Sequence, residues 1–171
     1  MNATSPARFV LRPAEPDDAD AIVTVWYSGW REAHLGHVPD ALLAHRSPAH
    51  FHERIPAIVP TTTVATVNGE VAGLVVTADA EVEQMYVGSA HRGTGIAAAL
   101  LRHGETTIGA TFRTAFLEVV AGNTRARRFY ERQGWHDTGA FDYYPWTLTG
   151  DRIAVPCHRY EKHVAWASGR S

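Results

Sequence analysis

A chain of 171 residues has the length of one compact domain, and its 45% apolar and 20% charged content is that of a folded chain rather than a disordered or fibrous one. Sixteen basic against eighteen acidic side chains give a formal charge of −2, without the basic excess on which phosphate-neutralising nucleic-acid binding rests. The single cysteine, Cys157, excludes an intramolecular disulfide and cysteine-based zinc or redox motifs; no apolar run reaches the ~18 residues of a membrane span, and the polar opening MNATSPARF lacks the apolar stretch of a secretory signal, so a cytoplasmic location is expected.

Phe9 to Leu11 reads as a short strand. The spacing of Ala19, Ile22, Trp26 and Trp30 predicts a helix over residues 15–30, with Pro16 in its first turn and Asp17, Asp18 and Asp20 at the positive end of its dipole. Trp26 and Trp30, four apart, are expected to pack in the core. Pro39 opens a short helical segment with Leu42 and Leu43. Pro48 opens another in which Phe51, Ile55 and Ile58 share a face, and which Pro56 and Pro60 are expected to close.

Two β-branched runs, residues 62–67 and 70–77, flank Asn68-Gly69, the two-residue signal of a tight hairpin. Residues 81–87 follow as a strand, then a helix from about Gly95 to Ile108 with Ile96, Leu100 and Leu101 turned inward. Residues 115–120 form the next strand. Asn123 caps a helix carrying Ala126, Phe129 and Tyr130 on one face, and Gly134 ends it as a left-handed cap. The segment from Trp135 reads as two strands separated by a turn near Thr149-Gly150-Asp151. No repeat or linker divides the chain. Residues 1–171 are therefore expected to form a single domain with a core of about 9–163 and loose ends before Arg8 and after Val164.

The stretch EVEQMYVGSAHRGTGIAAALL, residues 81–101, joins a strand to a helix through a loop with glycines at 93 and 95. The first amides of a helix have no internal acceptor and carry the positive end of its dipole, so such a junction suits a phosphate or diphosphate, with Arg92 as a further donor. From glycine spacing alone, a plain strand-to-helix turn is an equal reading.

The hexapeptide Arg92-Gly93-Thr94-Gly95-Ile96-Ala97 resembles the R/QxxGxG/A motif of the GNAT superfamily of N-acetyltransferases, with Arg92, Gly95 and Ala97 at the matching positions. Downstream, FLEVVAGNTRARRFYERQGW resembles the second half of the same family, and the element order from Phe9 to His163 is also that of the family. The resemblance implies a mixed α/β (α+β) fold with a mostly antiparallel central sheet of about seven strands flanked by helices. It implies transfer of an acetyl group from acetyl-coenzyme A (acetyl-CoA) to a primary amine by direct attack in a ternary complex. The diphosphate would lie on the amides of Arg92, Gly93, Thr94, Gly95, Ile96 and Ala97, and the pantetheine arm would pair with the backbone of Met85, Tyr86 and Val87 like an added strand. Asn123 matches the position that bonds the cofactor amide. Tyr130 matches the phenol that protonates the departing thiolate, although the residue pattern alone would make it a core tyrosine beside Phe129.

The amine needs a base, for which Glu81 and Glu83 are the candidates, with Glu83 the narrow choice. Strand parity puts both on one face, shared with Met85 and Val87, unless a bulge intervenes. The run WREAHLGHVP, residues 30–39, resembles a segment that shapes the acceptor side in some GNAT proteins, and suggests Trp30 and His34 as pocket residues. Tyr143, Tyr144 and Trp146 would give the acceptor aromatic walls, or would suit a hairpin or the interface of a homodimer; Asp137 and Asp142 would join the glutamates in an acidic entrance. The expected acceptor is a small amine-bearing metabolite (an amino acid derivative, polyamine or amino sugar) rather than a protein N-terminus or lysine. Ten histidines raise a metal reading, yet His34 and His37 flank Gly36, and His50 and His52 point to different sides of a helix, so no metal site is expected. Two rival readings stand beside this one. Gly93, Gly95 and Ala98, with Glu118 about 20 residues on, also satisfy a dinucleotide-binding pattern, against which a preceding hairpin and β-rich tail argue. A noncatalytic acyl-CoA sensor would share every cofactor residue.

Overall fold

The computed structural model describes residues 8 to 165. The ends expected to be loose fall largely outside that range.

The chain opens with β1 (Phe9–Pro13), α1 (Ala19–His34), α2 (Asp40–Leu43) and α3 (Pro48–Ile58). Three strands follow, β2 (Thr62–Val67), β3 (Glu70–Ala78) and β4 (Glu81–Val87), then α4 (Ile96–Gly109), β5 (Thr114–Val120), α5 (Thr124–Arg132), β6 (His136–Tyr143) and β7 (Val155–His163). The strands form one seven-stranded sheet in the order β1-β2-β3-β4-β5-β7-β6. Every pairing is antiparallel except β4 with β5. This is the mixed, mostly antiparallel sheet expected, and it removes the dinucleotide-binding reading, which needs repeated parallel βαβ units.

Local chemistry accounts for most boundaries. Asn68 and Gly69 take positive φ, 53° and 84°, which a two-residue turn of this hand requires, and β2 and β3 pair on either side of them. The first helix begins four residues later than its spacing suggested, because Pro16–Asp18 form a 3-10 turn. Asp18 folds back to accept from the Glu15 amide at 2.8 Å and binds Arg12 through both oxygens at 2.7 and 2.8 Å, which locks that turn. At its other end the helix runs on to His34, and Gly36 at φ 79° leads the chain away. Pro56 does not close α3; the helix passes through it to Ile58.

The two faces of the sheet carry separate cores. Leu74 and Val76 of β3 meet Trp26, Trp30, Phe51 and Ile55 from α1 and α3. Val75, between them, meets Leu100, Leu101 and Ile108 of α4 with Tyr130 of α5. Trp26 and Trp30 are buried as expected, edge-on to Phe51 at 4.8 and 6.2 Å between centroids. On the α4–α5 side, Glu105 accepts from Trp135 Nε1 and Lys162 Nζ at 2.9 Å each, tying α4 to β7.

Candidate active site

A cavity of about 540 Å³ runs from the start of α4 across the middle of the sheet to α3 and the β6–β7 connection. One irregularity creates its central slot. Beyond the pairing of Glu81 with Phe116 and the bond from the Phe116 amide to the Ala80 carbonyl at 2.9 Å, β4 and β5 no longer pair, so the β4 backbone from Glu83 to Val87 has a strand neighbour only on the β3 side. That open edge presents amides and carbonyls to the cavity, as an extended ligand arm needs.

At one end of the slot lies the loop leading to α4. Gly95 is the N-cap residue at φ 86° and Gly93 has φ 73°, both in the left-handed region that favours glycine. A Cβ at either position would meet nothing within 4 Å, so the loop surface is open. The first helical bond runs from the Ala99 amide to the Gly95 carbonyl at 3.1 Å, which leaves the preceding amides of the first turn for an anion. Arg92, Gly93, Gly95, Ile96 and Ala97 line the cavity, whereas Thr94 does not and instead donates to the His91 carbonyl at 2.5 Å. The Arg92 side chain is not directed at the anion seat alone; it pairs with Glu32 of α1, which ties the loop to the first helix. Arg125 and Arg132 of α5 line the cavity and make no ion pair among the described residues. Sequence reasoning passed over both.

Met85, Tyr86, Val87, Asn123 and Tyr130 lie together along the slot. Asn123 accepts from the Ala126 amide at 3.2 Å through its side-chain oxygen, capping α5 and leaving its NH2 group uncommitted. Tyr130 is buried, with its ring against Phe129, Trp135 and Tyr160, and its hydroxyl makes no hydrogen bond to another described residue. Burial holds the phenol well above its usual range, so it stays protonated and can donate.

The two candidate bases part company. Val76 of β3 pairs with Gln84 and Thr77 with Val82, so Glu83 is the extra residue of a β-bulge. The bulge overturns the parity expectation: Val82 joins Met85 and Val87 on the α4 side, and Glu81 does not share that face. Glu81 instead lies near Glu118 of β5, a residue on the face opposite Leu117 and Val119. Burial, then Glu118 and Glu83, push the Glu81 carboxyl up from 4.5 to about 7. Burial also raises Glu118, although Arg159 opposes it.

Trp30, His34 and Tyr143 are also on the cavity wall, Tyr143 near Glu118, Glu81 and Glu83, and Trp30 with the Arg46 guanidinium 5.5 Å from its ring centroid. His34 stacks on Trp30 at 4.5 Å, and its Nδ1 lies 2.7 Å from the Trp30 carbonyl. Burial pushes its pKa down to about 4, so the ring is neutral and Nε2 is left as an acceptor. Tyr144 lies outside the cavity wall, 43% exposed, with the Arg152 guanidinium 4.1 Å from its ring centroid. Asp137 and Asp142 are also absent from the wall. Asp137 turns to His158 at 2.8 Å and Arg127 at 3.2 Å, an arrangement that supports α5 against β6 and β7; the acidic lining comes from Glu118 instead.

Cys157 also borders the cavity, but burial and then Glu118 and Asp142 push its thiol up to about 12. A thiol held protonated is a poor nucleophile. Among the described residues no group of three His, Cys, Asp or Glu is arranged to hold a metal ion, and no helix is long and apolar enough to cross a membrane.

Residues 23–135 match the family model described as the acetyltransferase (GNAT) family. No curated protein matches the sequence at a significant level. Solved structures resemble the fold at low identity. A GCN5-related N-acetyltransferase from Rhodopseudomonas palustris superposes with a TM-score of 0.70 at 18% identity, covering 96% of this chain and 99% of that one. An N-acetyltransferase from Staphylococcus aureus gives 0.69 at 16% identity over 91% and 98% of the two chains. The PaiA N-acetyltransferase from Thermoplasma acidophilum, solved in complex with coenzyme A, gives 0.62 at 16% identity over 91% and 99%.

Proposed function

The chain belongs to the acetyltransferase (GNAT) family, and we propose that it is an N-acetyltransferase that moves an acetyl group from acetyl-CoA directly to the primary amine of a small molecule. The observation that carries this reading is the convergence, in one cavity, of the unpaired β4 edge, the α4 N-terminus, a protonated tyrosine and a carboxyl with a pKa of about 7.

The residues present fit acetyl-CoA. Its diphosphate suits the open, glycine-shaped start of α4, with Arg125 and Arg132 as further cations, and its amide-bearing arm suits the unpaired edge of Met85 to Val87 and the Asn123 NH2 group. When bound it supplies an acetyl group activated as a thioester. Glu81 is the base: near neutral pH it is poised between its two forms, so it takes the ammonium proton and frees the nitrogen lone pair. This replaces Glu83, which sits in the bulge, as the narrow choice. Tyr130 donates its hydroxyl proton towards the departing sulfur. Cys157, held as a thiol, is unsuited to carry the acetyl group, which favours direct transfer over a covalent relay.

The reading is tested by following thiol release from acetyl-CoA with a panel of small amines and short peptides. Amine-dependent release, larger for small amines than for peptides, is expected. Release with no amine in the panel, or with peptides alone, contradicts it.

A further inference from the structure

The acceptor end of the cavity contains two arginines that the acetyl-transfer reading does not use. Arg46, which follows α2, is only 6% exposed. It donates to the carbonyls of His45 at 3.0 Å and Trp146 at 2.9 Å, and its guanidinium carbon lies 3.6 Å from the Trp146 ring centroid. Arg54, on α3, lies 4.7 Å from the same centroid; its Nε is buried without a hydrogen-bond partner. Both border the cavity, and neither forms an ion pair among the described residues.

Two neighbouring guanidiniums without a counterion repel one another, and burial and then the charge of Arg54 disfavour the charged form of Arg46. Trp146 offers its π-face but no negative charge. Several planar N–H donors therefore remain without an acceptor, and a guanidinium fork is suited to an acid group, which it binds through paired hydrogen bonds. Across the cavity the charge has the opposite sign, with Glu81, Glu83 and Glu118 on the wall from β4 and β5. A polyamine would set a cation against the arginines. A molecule with an amine at one end and an acid group at the other matches both poles.

Resting on the acetyl-transfer reading above, we infer that Arg46 and Arg54 seat the acid group of the acceptor, which makes the acceptor an amino acid whose amine faces the glutamates. Its side chain lies among Trp30, Tyr143 and Trp146, with the neutral His34 adding an acceptor nitrogen. The cofactor diphosphate does not compete for this seat. It belongs with the start of α4 and with Arg125 and Arg132 of α5, whereas the charge of Arg46 acts on Tyr86 and Tyr143.

Matched pairs test the inference. Leucine, phenylalanine and methionine are compared with the amines left when each loses its carboxylate, by thiol release and by thermal shift with coenzyme A present. At least one amino acid should exceed its carboxylate-free partner in kcat/KM by about 30-fold or more, since an acid group held by a buried charge would be lost. The R54Q variant should reduce that ratio to about threefold or less, and R54K should keep more of it. The thermal shift reads the seat without any turnover. If amino acids stabilise the wild type but not R54Q while no amine is acetylated, the acetyl-transfer reading falls and the seat stands. If the carboxylate-free amines are used equally well or better, or the ratio survives in R54Q, or no amino acid in the set either reacts or stabilises, the inference is overturned.

Discussion

The two halves of the cavity are made of different material. The half bounded by β4, α4 and α5 uses backbone: an unpaired strand edge, the first turn of a helix, and glycines at φ 73° and 86°. The half bounded by α1, α2, α3 and the β6–β7 connection uses side chains from distant parts of the chain. Arg46 bonds the Trp146 carbonyl, and the Leu148 amide donates to His45 Nδ1 at 2.9 Å. A backbone site depends on a short contiguous motif and tolerates change elsewhere. A side-chain site has no such motif, so it varies freely and sets which acceptor enters.

The largest predicted effect breaks the backbone half. Acetyl-CoA at 100 times its Kd should raise the Tm of the wild type by about 5–10 °C, and NADH should not. Gly95→Val should abolish that rise, because a branched side chain is strained at φ 86° and stands where the diphosphate approaches. A preserved shift would separate the glycine loop from cofactor binding.

Next comes the junction of the halves. Glu81→Gln should lower kcat by about 10²–10⁴-fold and remove the rise of activity with pH through about 7 that the wild type should show. The same substitution has a stability signature of fixed sign. The folded carboxyl holds its proton more tightly than the unfolded chain, so its stabilising contribution is complete below 4.5 and lost as pH rises through about 7. The variant should therefore gain stability relative to the wild type at pH 8 but not at pH 4. An unchanged pH profile would move the base elsewhere. Tyr130→Phe keeps the ring packing and removes the donor, and should lower turnover about 10–1,000-fold with a smaller change in acetyl-CoA affinity. Equal losses in both would return Tyr130 to the core.

The smallest effect sharpens the comparison from the side-chain half. Trp146→Ala removes the surface on which Arg46 and Arg54 rest, and should raise KM for the acceptor about 3–30-fold while KM for acetyl-CoA changes less than about threefold. A matching rise in both constants would show that the two halves are not separable.

The same contrast explains what was legible in the sequence. The hairpin at Asn68-Gly69, the strand ending at Val87 and the helix opening at Gly95 could be read because their chemistry is local: turn φ, alternation and unpaired amides. The bulge at Glu83 could not be placed, since the residues around it carry no glycine or other local mark; it is set by how β3 and β4 pair. Glu118 left a usable signal. It is a charged residue inside β5, on the face opposite Ala115, Leu117 and Val119. Arg54 left a fainter one, three residues after Phe51 and so near the buried face of α3. Trp146 was legible as an aromatic of the acceptor wall, and it does border the cavity; Arg46 left no signal, because its meeting with Trp146 depends on a contact across 100 residues of chain.

Direct transfer of the acetyl group within this one cavity is tested most directly by acetyl-CoA labelled with isotope in its acetyl carbons. After incubation with a mixture of small amines, the label should appear as an amide on an amine, in amounts matching the free thiol released, with none retained on the protein. Label held on Cys157 or on any other side chain before it reaches the amine, or binding of acetyl-CoA with no labelled amine at all, would contradict the account.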